Sequence, residues 1–247
     1  GGGTYSWVAS GGGNITTGTG TATPTVDAAG TYTLTVTNAA GCIDSDITTV
    51  SEDVTPPTAG SSAAGIIDCN NTTTTVTGTG GGTYSWVASG GGNITSGAGS
   101  ATATVDAAGT YTVTVTGANG CVDTDVTVVT DDLTTPIANA GSAGVIDCNN
   151  TTINLSGSGG GDYSWVASGG GNITSGASSA TPTINAAGTY TVTVTGANGC
   201  TDTDVTTVTT DLTPPNADAG SDGAIDCTVS AADLTATGGG TYSWVAS

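Results

Sequence analysis

Six cysteines and a recurring set of carboxylate pairs are the residues of this 247-residue chain with chemistry to offer. The cysteines form two sets, Cys42, Cys121 and Cys200, and Cys69, Cys148 and Cys227, each stepping along the chain by the same interval. No Cys-x-x-Cys is present and histidine is absent, so a zinc site is not expected. Two cysteines per interval suit disulfides made in an oxidising location. The carboxylates recur as Asp44-x-Asp46, Asp123-x-Asp125 and Asp202-x-Asp204, with further acids at Glu52-Asp53, Asp131-Asp132 and Asp211. Hard oxygen ligands near a joint can hold Ca²⁺ and stiffen a rod, so Asp123, Asp125, Asp131 and Asp132 are candidate calcium ligands. The competing reading is a solvated strand face, and the EF-hand spacing is missing. No cofactor is expected beyond that candidate calcium.

Catalysis finds little to work with. No histidine or lysine can act as a base near neutral pH, and neither a Gly-x-Ser-x-Gly elbow nor a Walker-type loop occurs. The carboxylates repeat with the chain instead of marking one cleft, so an enzyme is not expected. A formal charge of −20 with no Lys or Arg excludes binding to nucleic-acid phosphate and to anionic membranes. No apolar run has the length of a membrane span, so no membrane insertion is expected.

The elements that must position these residues are set by a repeat. The segment YSWVAS occurs four times, its tryptophans Trp7, Trp86, Trp165 and Trp244 stepping by the same interval as the cysteines, and Gly238–Ser247 repeats Gly1–Ser10 with full identity. The expectation is a window of a longer periodic polymer. Pro-containing joints at Pro56-Pro57, Pro136 and Pro214-Pro215 divide it into a partial repeat at 1–57, whole repeats at 58–136 and 137–215, and a second partial repeat at 216–247.

Within the first whole repeat, β-rich runs at 65–69, 72–78, 83–89, 101–106, 110–116 and 122–130 are separated by Gly-rich breaks. Tyr84, Trp86 and Ala88 share one face, and Tyr111, Val113 and Val115 alternate inward with Thr outward. Gly117-Ala118-Asn119-Gly120 reads as a hairpin loop. In the last run Val122, Val126 and Val128 are expected inward, Asp123 and Asp125 outward. Trp86 is expected in a core, although a Tyr84–Trp86 platform for surface glycans is the alternative. About seven short strands per repeat predict an all-β chain of tandem immunoglobulin-like β-sandwich repeats.

Asp106-Ala107-Ala108-Gly109-Thr110-Tyr111 resembles the tyrosine corner of immunoglobulin-type domains, and it recurs at Asp27–Tyr32 and Asn185–Tyr190. With Ile67-Asp68-Cys69, Gly92–Gly97, Asn119-Gly120-Cys121 and the closing Thr-Pro-Pro, the whole chain resembles the Ig/PKD-like tandem repeats of giant secreted surface proteins of Bacteroidota. The resemblance implies export, an extracellular or cell-surface location, and roles in adhesion, gliding or fibres. Cys69–Cys121 and Cys148–Cys200 are then the pairs expected within one repeat. A link across a junction, or to a neighbouring chain, stays open, because these residues lie toward opposite poles of a plain sandwich. The function expected is a structural segment of a self-associating filament. A ligand- or glycan-binding adhesin stalk is the alternative.

Overall fold

A computed structural model describes residues 3–246. Among them every regular element is a β-strand, in keeping with a sequence rich in Thr and Val and without Lys or Arg. The chain packs as two compact units, residues 1–67 with 72–131, and residues 68–71 with 132–247.

In the first unit the complete sandwich sets Thr83–Ser89, Gly109–Thr116 and Val122–Val129 in one antiparallel sheet, with Gly109–Thr116 in the centre. The second sheet runs Ile94–Ser96, Thr102–Val105, Thr74–Thr79 and Gly60–Ala63. Between them Ile67, Val76, Trp86, Val105, Tyr111, Val113 and Val115 form the core. The 117–120 segment closes the expected hairpin, and Gly120 takes the positive φ, 80°, that glycine supplies without strain.

One face assignment is reversed. Val122, Val126 and Val128 are exposed, and Asp123, Asp125 and Thr127 stand on the inward side of their strand. Register sets the phase. Asp125 lies opposite Val113 and Asp123 opposite Val115, and both valines are buried. Directly opposed residues share a sheet face, and the strand seats its only fully buried residue, Val129, on that face.

The same unit begins with a half-sandwich. Gly3–Ser10, Gly30–Asn38 and Ile43–Val50 pair as one sheet, and Ile15–Thr17 pairs with Thr25–Val26.

The second unit repeats the complete design. Asp162–Ser168, Gly188–Thr195 and Thr201–Asp211 are antiparallel, and Gly144–Asp147 adds to Thr201–Asp211 in parallel. Its core is Ile146, Leu155, Trp165, Ile184, Tyr190, Val192, Val194 and Val208, with Ala140. Residues 216–246 hold no strand, only a bridge between Asp218 and Thr237.

Candidate functional site

Each complete sandwich is fastened by the same devices. The first is the tyrosine corner. Tyr111 Oη donates to Ala107 O at 2.5 Å and accepts from Asn93 N at 3.0 Å, and Asn93 Nδ2 donates to Asp106 Oδ1 at 2.8 Å. Gly92 lies against the Tyr111 ring so closely that a Cβ there would stand 2.9 Å from Cζ. Tyr190 repeats the arrangement with Ala186 and Asn172, and there Asn172 Nδ2 donates to Asn185 Oδ1. A hydroxyl buried with both roles filled fixes the loop that carries it.

The second device is the Asp-x-Asp pair. Turned inward at the sheet margin, Asp123 Oδ2 accepts from Ala59 N at 2.9 Å and Asp125 Oδ2 accepts from Ser61 Oγ at 2.8 Å. Asp202 and Asp204 accept from Ala138 N and Ala140 N at 2.9 and 2.8 Å. The last strand of a repeat thereby clamps the first segment of that repeat. The Ser61 hydroxyl, then the Val126 amide, hold the Asp125 carboxyl below its usual 3.8. The Ala140 amide, then that of Val205, do the same for Asp204. Bonds donated to the charged form favour it.

The third device is the hairpin-loop asparagine. Asn119 Nδ2 donates to Thr55 O and Asn198 Nδ2 to Thr134 O, both at 2.9 Å. Asn198 also reaches Asp132, whose carboxyl is lowered first by the Thr134 amide. These asparagines carry no chemistry that marks them in the sequence. Their signal is a constant offset back to a Thr before a Pro-containing joint.

The cysteines depart from the expected pairs. The bond joins Cys69 to Cys200, 131 residues apart with Cα atoms at 5.0 Å, inside the range a disulfide spans. Cys121 and Cys148 are free, as are Cys42 and Cys227. The within-repeat pairs Cys69–Cys121 and Cys148–Cys200 fail on geometry. Ile67 N donates to Thr130 O, so Cys69 emerges near the end of the strand that Cys121 precedes. The strand from 121 to 130, at about 3.3 Å per step, puts those ends roughly 30 Å apart, far beyond the ~7 Å limit. The link across a junction, left open above, is the one present: Cys69 lies in repeat 58–136 and Cys200 in repeat 137–215. Beside it, Cys69 N donates to Asn198 O at 3.0 Å, and Asp68 Oδ1 caps the 68–71 turn by accepting from Asn70 N and Asn71 N.

The candidate calcium ligands are not gathered. Asp123, Asp125 and Asp132 are engaged as above, and Asp131 is exposed on a short strand with Asp132. Among the described residues no three His, Cys, Asp or Glu converge to hold a metal ion. The aromatic platform is not displayed by the complete repeats either. Trp86 and Trp165 are buried, and their indole N–H groups donate to Ser100 O and Ser179 O.

Comparison with known proteins follows the repeat. Residues 135–214 match the model of an Ig-like domain, CHU_C associated, and residues 55–130 that of a PKD-like domain. Domains of these two kinds are typically non-catalytic. No curated protein matches the chain. Among solved structures, the EC3-6 cis-dimer of protocadherin gammaB7 aligns over 84% of this chain and 66% of its own, at 12% identity and a TM-score of 0.34. The insect immune protein hemolin aligns over 85% and 68%, at 13% identity and 0.31. The chain thus spans just under two thirds of the first of these. Among the described residues no helix is long and apolar enough to cross a membrane.

Proposed function

We propose, from the premise that the chain is built of Ig-like and PKD-like domains like those of Bacteroidota surface proteins, that it is a structural segment of an extracellular, cell-surface filament and performs no catalysis itself. The observation that carries this reading is the Cys69–Cys200 bond. It ties a turn of one repeat to the hairpin loop of the next, closing a 131-residue loop. In the chain-entropy account a loop of that length stabilises by about 5 kcal/mol. A small sandwich has a small core, and such a brace supplies what the core lacks.

Repetition supports the same reading. Asn119 and Asn198, and Asp123 and Asp202, make the same bonds at matching distances one repeat apart. Units fastened alike at each step generate a rod or helix instead of an irregular cluster. Recognition of one ligand calls instead for an individual surface, which near-identical repeats do not provide. Imaging purified material with helical averaging tests the reading. An axial period matching one repeat or a few is expected. Flexible chains with unequal joints would end the filament reading and leave a loose adhesin tether, with glycan binding as the next assay.

A further inference from the structure

The outer face of the sheet that carries the tryptophan is unlike a solvated surface. In the first complete repeat Thr112 lies opposite Val87 on one side and Val126 on the other. Trp86 is buried, so its neighbour Val87 points outward, and Val87 and Val126 are 61% and 53% exposed. Val122 and Val128 stand on the same face and are as open. The row recurs as Val166–Thr191–Val205 and as Val8–Thr33–Ile47, its aliphatic members again more than half exposed. It is equally open in the repeat at 58–136, which has another repeat after it, and in that at 137–215, which has one before it.

Charge is missing from this face. In the first complete repeat every outward residue of the three strands is Val, Thr or Ser, and in the second Asp162, at one corner, is the exception. The carboxylates of the first repeat are placed elsewhere. Asp68 and Asp106 fasten turns, and Asp123 and Asp125 point inward. A strand with one face in water ordinarily turns its polar residues outward and its apolar residues inward. Val122–Val129 does the opposite, and no layer of its own repeat covers the outward valines.

We propose that this face is where a second copy of the chain docks, sheet against sheet, with the Val–Thr–Val rows of the two copies opposed. The inference rests on the filament reading and names the surface by which one copy is laid beside another.

Three features select a second copy as the occupant. The first is charge. The chain carries −20 and no cation, so two copies have no ion pair to offer each other, and a contact that opposes their carboxylates is repelled. They can meet only where carboxylates are absent. The second is apolar area. The outer face of the other sheet is also free of carboxylates, but it presents Thr75, Thr77, Thr102 and Thr104 and no exposed large apolar side chain. Apolar burial drives association, so the valine face is favoured over the threonine face. The third is self-complementarity. A two-fold axis along the central strand sets Val87 of one copy over Val126 of the other and Thr112 over Thr112. Sheets packed in this way stand about 10 Å apart with their side chains interdigitated. One face measures about 15 Å by 24 Å, less than a stable dimer takes from each partner. A single pair of sheets therefore associates weakly, and the rows repeated along the chain supply the rest.

The test uses the full chain, its disulfide formed and its free thiols alkylated, in sedimentation velocity over a range of concentration and of NaCl. Association that grows with salt is expected, because screening removes the repulsion between copies and leaves the apolar contact. Val8→Asp, Val87→Asp and Val166→Asp together should weaken it about tenfold or more, since they oppose like charges across the contact. Val8→Thr, Val87→Thr and Val166→Thr keep the strand propensity and should weaken it by a smaller factor. Thr79→Asp, Thr102→Asp and Thr174→Asp add the same charge away from this face and should cost far less. With benzoylphenylalanine in place of Val126, irradiation of mixed isotope-labelled and unlabelled chain should join that position to Thr83–Ser89 of the other copy. Association untouched by the valine variants, an equal loss in the threonine variant, or cross-links to other surfaces overturn the inference. Fibres that still form when all three valines are aspartate overturn it too but leave the filament reading intact, whereas single chains at every concentration, with no fibres on imaging, remove both.

Discussion

Trp7 and Trp86 occupy the same place in the repeat and meet different fates. Trp86 is packed in the core of a complete sandwich; Trp7, in the open half, is only half-buried. Yet the two tyrosine corners match. Tyr32 is as buried as Tyr111, and its hydroxyl donates to Ala28 O at 2.5 Å while accepting from Asn14 N at 3.0 Å. The contrast separates two kinds of stability. The corner is made from near neighbours in the chain, Asn14 to Tyr32, and needs only half a sandwich. The core needs Ile67 and Val76 from the far side, and without them the tryptophan has half a seat.

The largest effect that could break this comparison is truncation of the tryptophan. Trp86→Ala should cost about 3–5 kcal/mol in denaturant unfolding, whereas Trp7→Ala should cost less than half as much. Equal losses would mean that the open half is covered in solution. Next comes the brace. Cys200→Ser should remove about 2–5 kcal/mol, and Cys121→Ser, with no partner to lose, should leave the melting curve of the single chain unmoved. The corner sharpens the contrast from the other side. Tyr32→Phe and Tyr111→Phe should each cost about 1–3 kcal/mol, because both strand a buried carbonyl and amide, and their losses should agree where those of the tryptophans do not.

Smaller effects belong to the carboxylates. Asp125 and Asp204 have folded pKa values lowered from 3.8 by the donors that bind them. Folding therefore favours their charged form, so their contribution is complete above the ordinary carboxylate pKa and is lost as pH falls below about 3.8. Melting temperature should be flat above about pH 5 and fall below about pH 4, and Asp125→Asn with Asp204→Asn should flatten that fall. The smallest effect concerns calcium. With Asp123, Asp125 and Asp132 already accepting hydrogen bonds from the chain, EDTA should leave the melting curve in place. A chelation-dependent drop would restore the calcium reading of the joints.

The sandwich was legible in the sequence because its signals are local. Alternating Thr and Val, Gly-rich breaks and the Asp-Ala-Ala-Gly-Thr-Tyr corner each act within a short stretch of chain. The orientation of Val122–Val129 was not. One phase there offers Val122, Val126 and Val128 and the other only Val129, so the valine pattern points to the wrong face, and only pairing with Val113 and Val115 settles which set faces in. The site was half legible. The repeat picked out the cysteines and the Asp-x-Asp pairs, but their partners lie far along the chain: Ala59 for Asp123, and Cys200 for Cys69.

By itself, then, the sequence determined a β-rich repeat that steps from Trp7 to Trp86 and onward, its corner and its hairpin, since propensity and turn chemistry are properties of neighbours in the chain. Tertiary structure alone decided that Cys69 meets Cys200 and that the aspartates face inward to clamp the first segment. Those outcomes depend on which ends of strands lie within about 7 Å of each other and on which face the opposite strand presents, and neither distance nor face is written in the spacing of residues.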